Sequence, residues 1–128
     1  MKAALFIGLG GFLGALCRHG LSTWIGKSSA AGFNTGILVV NVVGCFAFGL
    51  IFGIAEASGS LSKELRLFLL TGFLGAFTTF STFGHDTVTH IKDGNHNHAF
   101  GNIALSVGLG LAAAWIGLLL AAQLSKSG

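Results

Sequence analysis

Hydroxyl and aromatic residues are concentrated in one apolar stretch of the sequence, residues 71–84, which reads TGFLGAFTTFSTFG. The stretch holds five hydroxyl side chains, three glycines and four phenylalanines. The β-branched pair Thr78 and Thr79, close behind Gly75, is a poor sequence for a regular helix. Because the chain has no proline, a break must come from glycine and from hydroxyls that bond to the backbone. The alternative is a continuous helix whose hydroxyls bond internally.

A helix broken at membrane depth exposes carbonyls and amides that need partners, and ion sites are often built from such groups. Phe80 and Phe83 are three residues apart and share a helical face, with Phe77 on the same side. An aromatic ring has a positive edge, so edges that face a pore attract a small anion. The hydroxyls of Ser81 and Thr82 are positioned to donate hydrogen bonds to it. The alternative for this aromatic stripe is ordinary packing.

Two polar residues interrupt the first two apolar runs. Asn41 lies within VVNVV, where an amide needs a partner. It either bonds to another helix or donates its NH₂ group to an ion, and the sequence leaves both open. Arg18 lies near the end of the first run, where a buried cation suggests function and a long side chain can also reach the interface. We expect Arg18 to act structurally or electrostatically rather than to contact an ion directly.

The sequence gives little support for zinc binding, catalysis or nucleic-acid binding. The five histidines lack carboxylate or thiolate partners at ligand spacing, so we predict no zinc site. No Ser-His-Asp arrangement is readable, which argues against an enzyme. Seven basic residues spread along the chain form no patch, so we expect no nucleic-acid binding. Cys17 and Cys45 both fall in apolar runs and are interpreted as small packing residues.

The elements that must position these residues follow from composition. Apolar residues make up 52% of the 128 residues and charged residues only 9%, far from the roughly 25% charged content of soluble domains. Each of four apolar runs has about 20 or more residues, enough to cross the bilayer as a helix. We therefore predict one all-α, polytopic domain over residues 1–128, without room for a soluble domain. Its spans are predicted at about residues 3–24, 36–55, 65–89 and 99–124.

Charge and glycine patterns bear on assembly. The basic residues divide nearly evenly between the two sides of a four-span topology, so the positive-inside bias is slight. There are two alternatives for such a chain. It inserts in both orientations, which permits an antiparallel dimer, or it inserts in a single orientation that its few charges indicate only poorly. Small residues four apart predict close helix contacts. The pairs are Gly10 with Gly14, Gly49 with Gly53, and Gly108 with Ala112.

Three segments together closely resemble the Fluc (CrcB) family of fluoride channels, and the resemblance covers nearly the whole chain. The first is GGFLGALCR, residues 10–18, which ends in Arg18. The second is GILVVNVVGCF, residues 36–46, which contains Asn41. The third and most specific is GFLGAFTTFSTF, residues 72–83.

The resemblance implies a four-helix subunit with a broken third helix, in an antiparallel, dual-topology homodimer with two fluoride pathways. It implies a multi-pass protein of the bacterial inner membrane that passively exports fluoride from the cytoplasm and so relieves fluoride toxicity. Phe80 and Phe83 would provide aromatic edges, Asn41 a donor, and Ser81 and Thr82 further polar atoms. Arg18 would lie near a pore vestibule. Backbone oxygens of Gly75 and Thr78 from both subunits would hold a structural sodium ion at the dimer axis.

Two departures from the family pattern leave roles open. Asp86 stands where a glutamate is expected, and the fourth helix has no tyrosine, so Asn102 and Ser106 are its polar candidates for the fluoride pathway. The main rival interpretation is a four-helix multidrug exporter, which needs a carboxylate at mid-membrane. Glu56 and Asp86 lie toward span ends, which argues against it. A non-transporting subunit of a membrane assembly is a second rival, which only a functional assay separates.

Overall fold

The computed structural model describes residues 1–26, 34–59 and 61–127, and these ranges contain helices and no strand. Within these ranges, four stretches are long and apolar enough to cross a membrane, which confirms the prediction of an all-helical chain with four apolar helices of spanning length. The segment between the first two predicted spans lies partly outside the described residues, at 27–33. The elements are α1 (Lys2–Gly26), α2 (Thr35–Ser58), α3 (residues 63–77), α4 (Phe80–Lys92) and α5 (His96–Ser127).

The helices extend a few residues beyond the predicted spans because polar residues cap them. Asn34 precedes α2, and its side chain accepts a hydrogen bond from the N–H of Ile37 at 3.1 Å. Ser62 precedes α3 and accepts from the N–H of Leu65 at 3.2 Å. Gly59 closes α2 at a φ of 58°, a left-handed conformation that glycine adopts without steric cost. Such caps lie in polar linkers, outside the hydropathy signal that placed the spans.

Close helix contacts are made at glycines, as the spacing predicted. A methyl group at Gly14 of α1 would collide with the carbonyl of Phe73 in α3. A methyl group at Gly49 of α2 would collide with the carbonyl of Ala114 in α5. The prediction for Gly108 is wrong within a single chain, because a methyl group there would meet no atom within 4 Å. The fold is therefore two close helix pairs, α1 with α3 and α2 with α5.

The third span has an irregular backbone. Within α3, Lys63–Arg66 and Gly75–Phe77 are α-helical, while Leu67–Leu74 is π-helical, a conformation rare in proteins and frequent near functional sites. Thr78 (φ −80°, ψ 153°) and Thr79 (φ −148°, ψ 117°) are extended. The helical hydrogen-bond pattern of α3 therefore does not continue directly into α4.

Candidate functional site

Asn41 of α2 binds both polar groups of one residue in the extended segment. Its Nδ2 donates to the carbonyl of Thr79 at 3.0 Å, and its Oδ1 accepts from the N–H of Thr79 at 2.8 Å. Of the two interpretations left open for Asn41, bonding to another segment is thus present. A side-chain amide carries two N–H donors, and the second one is not used in this pair.

This pairing changes the partners of two nearby carbonyls. In a continuous α-helix, the N–H of Thr79 would donate to the carbonyl of Gly75, four residues earlier. It donates instead to Asn41. The N–H of Thr82 would similarly donate to the carbonyl of Thr78, but it donates to Oγ1 of Thr79 at 3.4 Å. The carbonyls of Gly75 and Thr78 therefore lose their α-helical donors.

The hydroxyl of Thr79 organises the start of α4. Besides capping the N–H of Thr82, Thr79 Oγ1 lies 3.3 Å from Ser81 Oγ and 3.1 Å from Thr82 Oγ1. Thr78 points its hydroxyl back along α3, where it donates to the carbonyl of Leu74 at 3.0 Å. Three adjacent hydroxyls thus converge on one point, while the fourth reinforces the preceding turn.

Beside this segment lies a cleft of about 220 Å³ between α2, α4 and α5. The rings of Phe80 and Phe83 are 5.4 Å apart and inclined at 52°. Phe80 is 82% exposed at the open side of the cleft. The lining combines amide and hydroxyl groups with aromatic and apolar ones. It is formed by Asn41, Cys45, Thr78, Thr79, Phe80, Phe83, Ser106 and Val107.

Five of the residues singled out from the sequence meet in this cleft, namely Asn41, Thr78, Phe80, Phe83 and Ser106. The others lie apart from the lining. Ser81 and Thr82 connect to it through Thr79, Gly75 is exposed on α3, and Arg18 is half-buried on α1.

Phe77 does not share a face with the two later phenylalanines. It is buried in a core cluster with Val40, Leu70 and Leu74, and its ring stacks on that of Phe73 at 5.8 Å. Helical spacing predicted one face through residues 77–83, but the extended residues Thr78 and Thr79 interrupt that face.

Thr79 and Cys45 are site residues that the sequence analysis did not assign to the pathway. Cys45 follows Asn41 by four residues, a spacing that places both on one face of α2. Thr79 precedes Thr82 by three residues, the spacing of a helix N-cap. The spacing of Cys45 was readable from α2 alone, and that of Thr79 once a new helix was assumed to begin at residue 80.

A chain of polar side chains leads from the cleft along α4 and α5. Ser106 donates to Oδ1 of Asn102 at 3.4 Å. The NH₂ group of Asn102 donates to Thr87 Oγ1 at 2.9 Å and approaches Asp86 Oδ2 at 3.5 Å. Asn102 is only 3% exposed. The two departures from the family pattern, at Asp86 and in the fourth helix, are therefore connected by hydrogen bonds.

The donor set of the site is neutral. Among the described residues, no group of three or more histidine, cysteine, aspartate or glutamate side chains is arranged to hold a metal ion. A cation here would have to use backbone and hydroxyl oxygens, and a small anion would meet amide, hydroxyl and ring-edge donors.

The fold and the site define a multi-pass membrane protein with a polar cleft beside an irregular third span. The family model described as "CrcB-like protein, Camphor Resistance (CrcB)" matches residues 5–118. The chain belongs to this family, which confirms the resemblance seen in the sequence.

Curated relatives are similar over nearly their full length, and each of the following is named "Fluoride-specific ion channel FluC". The protein of Nitratidesulfovibrio vulgaris is 43% identical over 122 residues, 92% of this chain and 95% of that protein. The protein of Campylobacter jejuni serotype O:2 is 43% identical over 120 residues, 94% and 98% of the two chains. The protein of Dehalococcoides mccartyi strain CBDB1 is 40% identical over 127 residues, 99% and 98% of the two. The relatives are named as channels, in agreement with the prediction that the chain is not an enzyme.

Proposed function

We propose that the protein is a fluoride-selective ion channel. The observation that carries the proposal is the cleft beside Thr79, where an amide, hydroxyls and two phenylalanine edges meet without a charged side chain. The names of the relatives support the same function. The pathway residues that we propose are Asn41, Phe80, Phe83, Ser81, Thr82 and Ser106, with Arg18 near a vestibule.

Neutral donors suit this anion. Fluoride is small and strongly hydrated, so a pore has to replace its water with donors that still release it. The second N–H of Asn41 supplies a hydrogen bond from α2, and the Ser106 hydroxyl of α5, which donates to Asn102 in this structure, would turn its single O–H toward the ion. The positive edges of Phe80 and Phe83 add attraction without a full charge, which would hold the ion too tightly for conduction.

We propose further that the third span is a broken membrane helix and that two antiparallel copies complete the channel. The extended conformation of Thr78 and Thr79 supports the break. One chain leaves Gly75 and the ring of Phe80 exposed, and backbone groups at membrane depth need partners. A second copy would cover them, and the nearly even division of basic residues permits both orientations.

We propose that a structural sodium ion binds in the same region. The carbonyls of Gly75 and Thr78 have lost their helical donors to Asn41 and Thr79, and such carbonyls are the usual sodium ligands within membranes. In the proposed homodimer, these oxygens from both copies would hold the ion at the axis. When bound, sodium would neutralise the facing carbonyl dipoles.

The multidrug-exporter alternative lacks its required group. Glu56 lies near the end of α2 and pairs with Arg66 at 2.7 Å, where both side chains are exposed. Asp86 lies beyond the cleft and bonds to the N–H of Asn34 at 3.3 Å. Neither carboxylate lines the cleft.

In the cell, we propose passive export of fluoride across the bacterial inner membrane, which lowers fluoride toxicity. The test is growth of a bacterium without its own fluoride export, with and without this protein, in graded fluoride. We expect restored growth and a lower cytoplasmic fluoride concentration. Unchanged growth and unchanged cytoplasmic fluoride, with the protein present in the membrane, would contradict the proposal.

A further inference from the structure

A group of titratable side chains lies outside the cleft and has no part in the pathway proposed above. Asp86 and His90 are one turn apart on α4, with 3.9 Å between Asp86 Oδ2 and His90 Nε2, too far for a hydrogen bond. His98 of α5 faces His90, with ring centroids 5.6 Å apart. From α2, the uncharged N–H of Asn34 reaches Asp86. The groups around the His90 ring are therefore one carboxylate and one further imidazole.

The imidazole of His90 lacks partners. Both ring nitrogens are buried and have no hydrogen bond within the described part of the chain, and the side chain is 13% exposed. Buried polar atoms almost always have hydrogen-bond partners. An imidazole without them, beside a carboxylate, is therefore a candidate functional group. Thr35 Oγ1, next to Asn34 at the start of α2, is in the same condition.

The position of the pair relates it to the pathway. Phe83 lines the cleft, and Asp86 and His90 follow it by three and seven residues. At 1.5 Å per residue, they stand roughly 4.5 and 10 Å further along α4. An ion that left the cleft along α4 toward this end of the helix would pass the carboxylate and then the imidazole.

We propose that His90 makes fluoride access sensitive to protons, an inference that rests on the proposed channel function. A neutral imidazole leaves the charge of Asp86 uncompensated, and this charge repels fluoride. A protonated imidazole places a positive charge 3.9 Å from the Asp86 carboxylate and offsets its negative charge. The channel therefore conducts faster at lower pH, without any change in the lining of the cleft.

The test is fluoride efflux from liposomes at about pH 6 and about pH 8, which span the charge change of an ordinary histidine. Protein-free liposomes at each pH correct for HF that crosses the bilayer. Wild type should be roughly threefold faster at the lower pH, the effect of one unit charge ~7 Å from an anion in water. In His90→Gln this ratio should fall to about one, whereas His85→Gln, on the exposed side of α4, should keep the wild-type ratio.

Results that would overturn the role of His90 differ from those that would refute the channel function. A His90→Gln ratio equal to that of wild type would overturn the inference, as would a response lost in His98→Gln but kept in His90→Gln. If His90→Gln does not assemble, His90→Arg carries a charge that it does not lose at either pH and should conduct fast at both pH values. A pH response in that variant would also overturn the inference. Absence of wild-type efflux at both pH values would refute the channel itself, whereas pH-independent efflux overturns only the role of His90.

Discussion

The third and fourth spans have nearly the same length, 30 residues for Lys63–Lys92 and 31 for His96–Lys126, yet their backbones differ. The fourth span is one continuous helix, α5. The third passes through a π-helical stretch and two extended residues. In α5 every residue follows one helical pattern, whereas at Thr79 the backbone pairs with a side chain of another helix. The local structure of the third span is thus set by a tertiary contact.

The contact at Asn41 has to replace the hydrogen bonds that a helix provides for itself. An unpaired peptide group costs about 1–3 kcal/mol when buried. Asn41 satisfies both groups of Thr79 at once. The extended conformation of this segment is therefore stable only while the Asn41 amide forms these two hydrogen bonds.

The largest effect on the third span is expected from Asn41→Leu, which leaves the N–H and carbonyl of Thr79 without their partner. We expect a loss of about 2–6 kcal/mol in unfolding free energy, at about 1–3 kcal/mol for each group. Fluoride efflux from liposomes should fall to the protein-free level. Thermal unfolding in detergent and a fluoride electrode measure the two effects.

The matched control for Asn41→Leu is Val43→Leu, on the same helix at a position that is 46% exposed. It should leave both quantities near wild type. Wild-type stability and efflux in Asn41→Leu would show that Asn41 does not hold the extended segment.

The third span also depends on a close contact with α1, where Gly14 packs against Phe73 of α3. In Gly14→Ala, the added methyl group collides with the carbonyl of Phe73, and we expect a loss of about 1–3 kcal/mol from overpacking. Gly8→Ala is the control, because a methyl group there meets no atom within 4 Å. Denaturant titration of both variants measures the difference. Equal stability of the two would mean that α1 does not fix the position of α3.

The aromatic rings test whether the cleft acts through ring edges. Phe83→Ile keeps an apolar side chain and removes the aromatic edge, as does Phe80→Ile. We expect up to about a tenfold drop in fluoride efflux, since aromatic edge interactions contribute about 0.5–1.5 kcal/mol, while the assembly stays intact by size-exclusion chromatography. Phe100→Ile, at a 73% exposed position of α5, is the control. Wild-type efflux in both cleft variants would count against the role of the rings.

The smallest effect is expected at the cap of α4. Thr79→Val removes the hydroxyl that accepts from Thr82, at a cost of about 1 kcal/mol. Thr89→Val, which removes an exposed hydroxyl bonded to the carbonyl of His85, should cost less. A thermal melt compares the two, and a larger loss in Thr89→Val would refute the capping role.

The sequence predicted best those features that depend on residues close together along the chain. Hydropathy located the four spans, and Gly75 with the threonine pair indicated where the third helix is irregular. The partner of Thr79 was not predictable, because Asn41 lies 38 residues away and an amide in an apolar run has many conceivable partners. The face assigned to Phe77 was wrong, because helical spacing does not extend across two extended residues.

The most direct test of the central claim, that this chain conducts fluoride selectively, is simultaneous efflux of two anions. Liposomes with the purified protein are loaded with equal fluoride and chloride, and both ions are followed with selective electrodes. We expect fluoride to leave while chloride efflux stays at the level of protein-free liposomes. Efflux of both anions at similar rates, or of neither, would contradict it.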